Sequence, residues 1–152
     1  MIKVFILLIT ILGISIAQNV NVDNFVKDAK KSGKHVLIFL HKPNCGYCER
    51  MIDFTIEDEK VESEIGENFI FIDMNIADEG NVSFDGSRGT IKEFAKFVGN
   101  DFYPNVIFID GNKEIVYTQP AYQDEKTFFN ILRYIDSRSY EDMGIEEFKQ
   151  KK

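Results

Sequence analysis

Residues 36–48, with the sequence VLIFLHKPNCGYC, decide the fold. The apolar run at 36–40 is too short for a helix and is typical of a strand buried on both faces. The Pro-Asn pair that follows ends this strand, and Asn44 is a suitable cap for a helix that begins at Cys45. The pattern therefore predicts that Cys45 and Cys48 lie in the first turn of a helix, directly after a central strand.

Patterns on both sides of this stretch predict the remaining elements. Helical spacing is present at residues 23–31, 58–66, 91–98 and 124–135. Apolar runs predict strands at 69–72, 105–110 and 114–118, and the last two form a hairpin. Residues 76–89 are polar and rich in Gly, Asp and Asn, which favours a loop. The order of elements predicts an α/β fold in which helices cover both faces of a central mixed β-sheet.

The first seventeen residues differ in composition from the rest of the chain. Lys3 precedes an apolar stretch, and Ser15 and Ala17 place small side chains at the two positions that a signal peptidase reads. The apolar stretch is shorter than the roughly 20 residues that a membrane-spanning helix needs. We therefore expect residues 1–17 to be a cleavable signal and the protein to be periplasmic or otherwise exported, with an uncleaved anchor as the alternative. Residues 18–138 are then expected to form one domain, and 139–152 a helical tail packed on it.

Composition narrows the classes of function. The chain has 152 residues, of which 44% are apolar, and this is enough for one domain with a sizeable core. Its formal charge of -7 and the lack of a basic stripe make nucleic acid a poor partner. A disulfide between two cysteines only three positions apart closes too small a loop to add much stability. The cysteine pair therefore indicates chemistry rather than structural cross-linking.

The C-x-x-C spacing suits thiol-disulfide exchange, which needs an attacking thiolate and a second thiol that resolves the mixed disulfide. At the start of a helix, unpaired backbone N–H groups and the helix dipole favour the thiolate of the first cysteine. We therefore assign Cys45 as the nucleophile and Cys48 as the resolving thiol, with no cofactor beyond their own disulfide. His41 and Lys42 are candidates for stabilising the thiolate by charge, and a solvated strand end is the alternative interpretation.

A C-x-x-C pair is also half of a zinc site, but the other ligands are missing from the sequence. The chain has no third cysteine, and its two histidines are His35 and His41. We therefore expect no metal centre of this kind. Cu(I) can be held by two thiolates, so a copper carrier is the leading alternative among binding proteins.

Together these features resemble the thioredoxin superfamily over nearly all of the chain that follows the predicted signal. The resemblance is carried by the strand and Cys pair of residues 36–48 and by the segments 71–73 and 103–111. Pro104 matches the position of the cis-proline of that family. The resemblance implies that the backbone of Tyr103 and Pro104 docks an extended substrate strand. Gly46 and Tyr47, in the spacer between the cysteines, are candidates for contact with the substrate, and shielding of the disulfide or simple covering of the surface are the alternative roles of the Tyr47 ring.

Residues 82–86 and 93–95 are similar to an exported branch of the superfamily that includes thioredoxins associated with bacterial sulfur oxidation. This resemblance implies a periplasmic reductant of disulfide-containing exported proteins that is recharged by a membrane electron-donor protein. A monomer is expected. The same fold also serves disulfide oxidases and isomerases, and we favour the reductase over both.

The sequence departs from the family pattern close to the cysteines. Asn44 stands where Trp is usual and Tyr47 where Pro is usual, so the reduction potential of the family does not transfer. Phe39 stands where many thioredoxins have a buried acidic residue, so the proton of Cys48 must move through water or another group. Asn105 replaces the Thr that commonly follows the cis-proline, which predicts a changed substrate preference.

Overall fold

The computed structural model describes residues 19–99 and 102–151, and the predicted signal at 1–17 lies outside these ranges. The helices are α1 Val22–Ser32, α2 Gly46–Met51, α3 Glu59–Asn68, α4 Ile91–Phe97, α5 Glu125–Asp136 and α6 Ile145–Gln150. The strands are β1 Val20–Asn21, β2 His35–His41, β3 Phe69–Asn75, β4 Asn81–Phe84, β5 Ser87–Thr90, β6 Asn105–Ile109 and β7 Ile115–Pro120. A π-helical turn, Ile52–Ile56, directly continues α2.

The main sheet is built around β2. Its strand order is β3-β2-β6-β7, and β2 runs parallel to β3 and antiparallel to β6. Side chains of β2 alternate between two core clusters, because successive residues of a strand point to opposite faces. Leu37 and Phe39 pack with α2, α3 and α5, whereas Ile38 and Leu40 pack with α1 and α4. The predicted α/β fold, with helices on both faces of a mixed sheet, is confirmed.

The prediction of a loop at residues 76–89 is wrong for most of that segment. Strands β4 and β5 form a hairpin there, and with β1 they build a second sheet of order β1-β4-β5. The turn consists of Asp85 and Gly86, with φ values of 48° and 78°. Two residues with positive φ give the turn that matches the twist of paired strands. Val82 and Phe84 alternate with polar residues and are buried, which explains how so polar a segment forms strands.

A small charge cluster attaches the second sheet to the rest of the fold. The Nζ atom of Lys113, in the turn between β6 and β7, lies 2.7 Å from Asp23 Oδ1 and 3.6 Å from Asp85 Oδ1. Asp23 belongs to the first turn of α1, and its Oδ1 also accepts a hydrogen bond from the backbone N–H of Asp85 at 3.2 Å. These contacts join the hairpin tip, α1 and the β6–β7 turn at one point on the surface.

The residues after α5 form a 3₁₀ turn, Ser139–Glu141, and then α6. Tyr140 and Phe148 pack against the core cluster that lies under α5. The hydroxyl of Tyr134 donates a hydrogen bond of 2.7 Å to the carbonyl of Met143. In the part of the chain that the structure describes, no helix combines the length and the apolar character that crossing a membrane requires.

Candidate active site

The junction between β2 and α2 places the two cysteines. Asn44 adopts a left-handed conformation with φ of 54°, which Asn tolerates better than most residues. The chain turns at this residue, so Cys45 and not Asn44 is the N-cap, and α2 begins at Gly46. The prediction that Asn44 caps the helix is therefore wrong by one residue. Cys45 Sγ accepts a hydrogen bond of 3.2 Å from the backbone N–H of Cys48, as side-chain caps do.

Cys45 and Cys48 are joined in a disulfide, with an S–S distance of 2.08 Å and a Cα–Cα distance of 5.2 Å. Cys45 exposes 8% of its surface and Cys48 exposes 1%. Cys48 lies three residues before Met51, so both side chains occupy the buried face of α2. Both cysteines are thus buried, and Cys45 is the less deeply buried of the two.

The loop before β6 brings Pro104 to the same place. The Tyr103–Pro104 peptide bond is cis, and the carbonyl oxygen of Tyr103 lies 4.0 Å from Cys45 Sγ. A sulfur in a disulfide carries no proton, so this separation is a contact and not a hydrogen bond. The carbonyl of Pro104 accepts a hydrogen bond of 2.9 Å from the backbone N–H of Ala121. The structure thus brings together two segments that are far apart in sequence.

His41 and Lys42, the two candidates for charge stabilisation, have different partners. The Nε2 atom of His41 lies 2.9 Å from Asp73 Oδ1, and its ring stacks on Phe39 with centroids 5.4 Å apart. Burial raises the pKa of Asp73, although the His41 beside it acts in the opposite direction. The Nζ atom of Lys42 lies over the ring of Tyr103, 5.9 Å from its centroid. One candidate thus belongs to a His–Asp pair and the other to the cis-proline loop.

Two residues that the sequence did not single out complete the surroundings. Tyr122 lies after β7, and its ring centroid is 6.4 Å from that of Tyr47, the residue between the two cysteines. Thr55 is fully buried in the π-helical turn, and its hydroxyl donates a hydrogen bond of 2.7 Å to the carbonyl of Gln123. Both contacts join segments that are distant in sequence, so no local pattern reveals them. In the sequence, the one feature that could have pointed to either contact is Thr55, a polar residue at a position that faces the core.

Comparison with known protein families shows to which family the chain belongs. The family described as the thioredoxin-like domain matches residues 22–136, from the start of α1 to the end of α5. The chain belongs to this family. No curated protein matches the chain. Residues 19–99 and 102–151 hold no group of three or more His, Cys, Asp or Glu side chains placed to bind a metal ion.

Several solved structures are similar to this thioredoxin-like domain. A thioredoxin-fold protein from Helicobacter pylori is 22% identical, with a TM-score of 0.60, and the match covers 78% of this chain and 79% of that one. A disulphide isomerase from Xylella fastidiosa Temecula1 is 14% identical, with a TM-score of 0.57 and coverages of 75% and 87%. The C-terminal domain of Neisseria meningitidis DsbD, in its oxidised form, is 15% identical, with a TM-score of 0.55 and coverages of 72% and 88%. At these identities the likeness shows the fold alone.

The departures from the family pattern can now be placed in the thioredoxin-like domain. Phe39 is buried in the same core cluster as Met51 of α2, so an apolar ring lies under the active-site helix. Among the described residues, this face of β2 and β3 carries titratable groups at His35, at the amino end of β2, and at His41 and Asp73, which pair near the carboxyl ends of the two strands. Asn105 is buried beside Pro104, and its Oδ1 has no hydrogen-bond partner within the described residues. The polar groups beside the cysteines thus differ from the family pattern, while the position of the cysteines does not.

Proposed function

We propose that this protein is an exported thiol:disulfide oxidoreductase that reduces disulfides in other exported proteins. One observation carries the proposal. The Cys45–Cys48 disulfide lies where a buried strand meets a helix, the sulfur of Cys45 contacts the cis-proline loop, and Cys48 is the more deeply buried of the two residues. A structural cross-link needs neither this difference in exposure nor a neighbouring loop suited to bind a strand.

The reaction begins with the dithiol form. The thiolate of Cys45 attacks one sulfur of the substrate disulfide, that S–S bond breaks, and the leaving thiolate takes up a proton. Cys48 then loses its proton and attacks Cys45 Sγ, so the mixed disulfide breaks and the second substrate thiolate leaves and is protonated. The substrate gains two electrons and two protons, and the protein ends as the Cys45–Cys48 disulfide. A dithiol protein must reduce this disulfide before the next cycle.

Residues around the disulfide support these steps. The backbone N–H of Cys48 points at Cys45 Sγ at 3.2 Å, and the same donor stabilises a thiolate at this sulfur. The backbone of Tyr103 and Pro104 lies alongside, where an extended substrate strand can pair with it. Gly46 carries no side chain, and open space surrounds its Cα, so a substrate can approach the first turn of α2 closely.

The proposal includes partners and location. The disulfides of exported proteins are the proposed substrates, a membrane electron-donor protein is the proposed source of electrons, and the protein acts as a monomer in the periplasm or an equivalent compartment. The signal predicted at residues 1–17 supports export, and the branch of thioredoxins that residues 82–86 resemble supports the electron donor. The formal charge of -7 gives no reason to include nucleic acid.

Trapping of substrates tests the two roles, and each cysteine variant is the matched control for the other. Cys45→Ser is expected to eliminate the reduction of insulin disulfides, because the attacking thiolate is lost. Cys48→Ser is expected to accumulate mixed disulfides that dithiothreitol releases, because the resolving thiol is lost. Non-reducing gels and mass spectrometry identify the trapped species. Parental activity in Cys45→Ser would refute the assignment.

The equilibrium potential of the pair against glutathione decides the direction of electron flow. A value of about -270 mV is that of a thioredoxin-like reductant, and about -120 mV is that of a strong oxidant. The disulphide isomerase from Xylella fastidiosa shares the fold, so isomerisation of scrambled substrates is measured in parallel. Metal analysis after anaerobic purification tests the copper alternative. Stoichiometric Cu(I) without insulin reduction would refute the redox proposal.

A further inference from the structure

A pocket of about 240 Å³ lies beside the disulfide, lined by Tyr47, Tyr103, Ala121 and Tyr122. Tyr47 stands between the two cysteines, and the carbonyl of Tyr103 is 4.0 Å from Cys45 Sγ. The pocket is therefore next to the sulfur that a substrate must reach. Nothing in the local sequence around the cysteines indicates Tyr122, which supplies the far wall.

Contacts from three directions hold the Tyr122 segment in place. The hydroxyl of Thr55 donates to the carbonyl of Gln123 at 2.7 Å, which ties the segment to the turn after α2. The backbone N–H of Ala121 donates to the carbonyl of Pro104 at 2.9 Å, which ties it to the cis-proline loop. The guanidinium of Arg50 lies 5.1 Å from the centroid of the Tyr122 ring. The wall that Tyr122 forms is thus held in position by the fold, which lowers the entropic cost of ordering it when a ligand binds.

The size and walls of the pocket define what fits. Pockets for small organic ligands usually have volumes of about 300–1,000 Å³, so a pocket of about 240 Å³ suits one side chain rather than a cofactor. Three tyrosine rings and one methyl group form the walls, and aromatic rings pair with other rings in offset or edge-on arrangements. An aromatic side chain fits this description, and a large aliphatic one fits less well.

We propose that the Tyr47–Tyr103–Tyr122 pocket binds an aromatic side chain of the substrate polypeptide, close in sequence to the cysteine whose disulfide is reduced. This inference rests on the proposed function and deepens it by naming a substrate class. The substrate strand lies along the cis-proline loop, its cysteine faces Cys45, and a residue within two positions of that cysteine enters the pocket. Tyr122 is then a specificity-determining residue that acts on substrate choice.

A set of peptides tests the proposal with the reduced wild-type protein. Each peptide carries one cysteine in a mixed disulfide with 2-mercaptoethanol, and a single Phe is placed at one of the two positions before or after it. Ala occupies the other three positions, and an all-Ala peptide is the reference. We expect kcat/KM for one Phe position to exceed that of the reference by about tenfold, as one well-filled apolar pocket allows. Equal values for all peptides would overturn the proposal.

Variants then assign the preference to the pocket. Tyr122→Ala should reduce the Phe-to-Ala ratio of kcat/KM from about tenfold to below about threefold, and Tyr122→Phe should keep the parental ratio, because the ring is retained. Phe54→Ala is the control for the loss of an aromatic ring elsewhere on the surface, since Phe54 is 65% exposed and lies outside this pocket. It should also keep the parental ratio. An equal loss of the ratio in Phe54→Ala and Tyr122→Ala would overturn the pocket assignment.

The outcome also separates this inference from the function on which it rests. Bis(2-hydroxyethyl) disulfide has no side chain that the pocket can bind. A reduced wild-type protein that reacts with neither this compound nor any peptide refutes the oxidoreductase itself. A protein that reacts with the compound, and with all peptides at the same rate, refutes only the pocket.

Discussion

The two ends of β2 carry the two histidines of the chain, and their surroundings differ. At the amino end, His35 is almost fully buried, and its Nε2 lies 2.9 Å from the hydroxyl of Tyr140. At the carboxyl end, His41 is partly exposed and pairs with the half-exposed carboxylate of Asp73. The same residue type thus meets a neutral, partly buried partner at one end of the strand and a half-exposed carboxylate at the other.

The difference teaches how one strand can serve stability and chemistry at once. A neutral hydroxyl satisfies a buried imidazole without introducing charge into the core. A carboxylate at a partly solvated site keeps its contact with water while it pairs with the imidazole beside it. We therefore expect changes at His35 to alter stability and leave exchange intact, and changes at His41 or Asp73 to alter exchange and leave stability nearly intact.

His35→Ala should give the largest change in stability. It opens a cavity in the core and leaves the hydroxyl of Tyr140 without its partner, so we expect a loss of about 3 kcal/mol in the free energy of unfolding. Urea titration of the oxidised protein measures this loss. His41→Ala is the matched control at the other end of β2 and should cost about 1 kcal/mol. A larger loss in His41→Ala than in His35→Ala would contradict the comparison.

His35, at the buried amino end of β2, should also make the free energy of unfolding depend on pH. Burial, with a smaller contribution from Arg138, lowers the pKa of His35 below its ordinary value of 6.5. As pH falls below 6.5, the unfolded chain takes up a proton that the folded protein does not, so the free energy of unfolding decreases. The contribution of His35 is therefore complete above pH 6.5 and is lost towards the lowered pKa, with a slope of at most about 1.4 kcal/mol per pH unit.

Urea titrations of the wild type and of His35→Gln between pH 7.5 and 5 test this slope. Both proteins contain the same carboxylates, so the contribution of these groups cancels when the free energy of unfolding of one protein is subtracted from that of the other. A difference that does not change with pH would show that His35 takes up its proton equally in the folded and unfolded states.

Tyr140→Phe should produce a smaller effect at the same end. It removes only the hydroxyl that meets His35, so we expect a loss of about 1 kcal/mol in the free energy of unfolding. A double-mutant cycle with His35→Ala measures the coupling, and the two losses should add to more than the loss in the double variant. Strict additivity would show that the hydrogen bond does not contribute.

Asp73→Asn should have the smallest effect on stability, within about 0.5 kcal/mol of the parent. Burial raises the pKa of Asp73, so its charge is not a source of stability at neutral pH. The variant removes a negative charge at the carboxyl end of β2, the strand that leads to Cys45, and a nearby negative charge opposes the formation of a thiolate. We expect the pH profile of the second-order rate constant with bis(2-hydroxyethyl) disulfide to shift to lower pH. An unchanged profile would show that the His41–Asp73 pair does not influence the exchange reaction.

The sequence predicts the β2–α2 junction well because its signals are local. An apolar run of strand length, a turn and a helix start all lie within residues 36–48, and the structure has β2 and α2 there. The N-cap was misplaced by one residue because Asn44 takes a left-handed conformation instead of the extended conformation of a cap. Either Asn44 or Cys45 can accept a helix N–H, so composition alone does not choose between them.

The sequence predicts less where stability depends on distant partners. Strands β4 and β5 contain four residues each, and polar residues conceal their alternation, although Asp85-Gly86 is a recognised hairpin turn. The pocket beside the disulfide depends on the hydrogen bond between Thr55 and Gln123. The buried amino end of β2 depends on the hydrogen bond between His35 and Tyr140. These contacts are set by packing in the folded chain, and no periodicity in the sequence encodes them.

The distance along the chain between the halves of the site has a consequence for biosynthesis. Tyr103 follows Cys45 by 58 positions, and Gln123 follows Thr55 by 68. Because a ribosome makes the chain from its amino end, both thiols emerge well before the segments that would select their targets. On the proposed function, the nascent chain therefore carries both thiols before it can form the cis-proline loop and the pocket that would select a substrate. Selective exchange would then begin only when β6, β7 and the Tyr122 segment have been made and folded against α2.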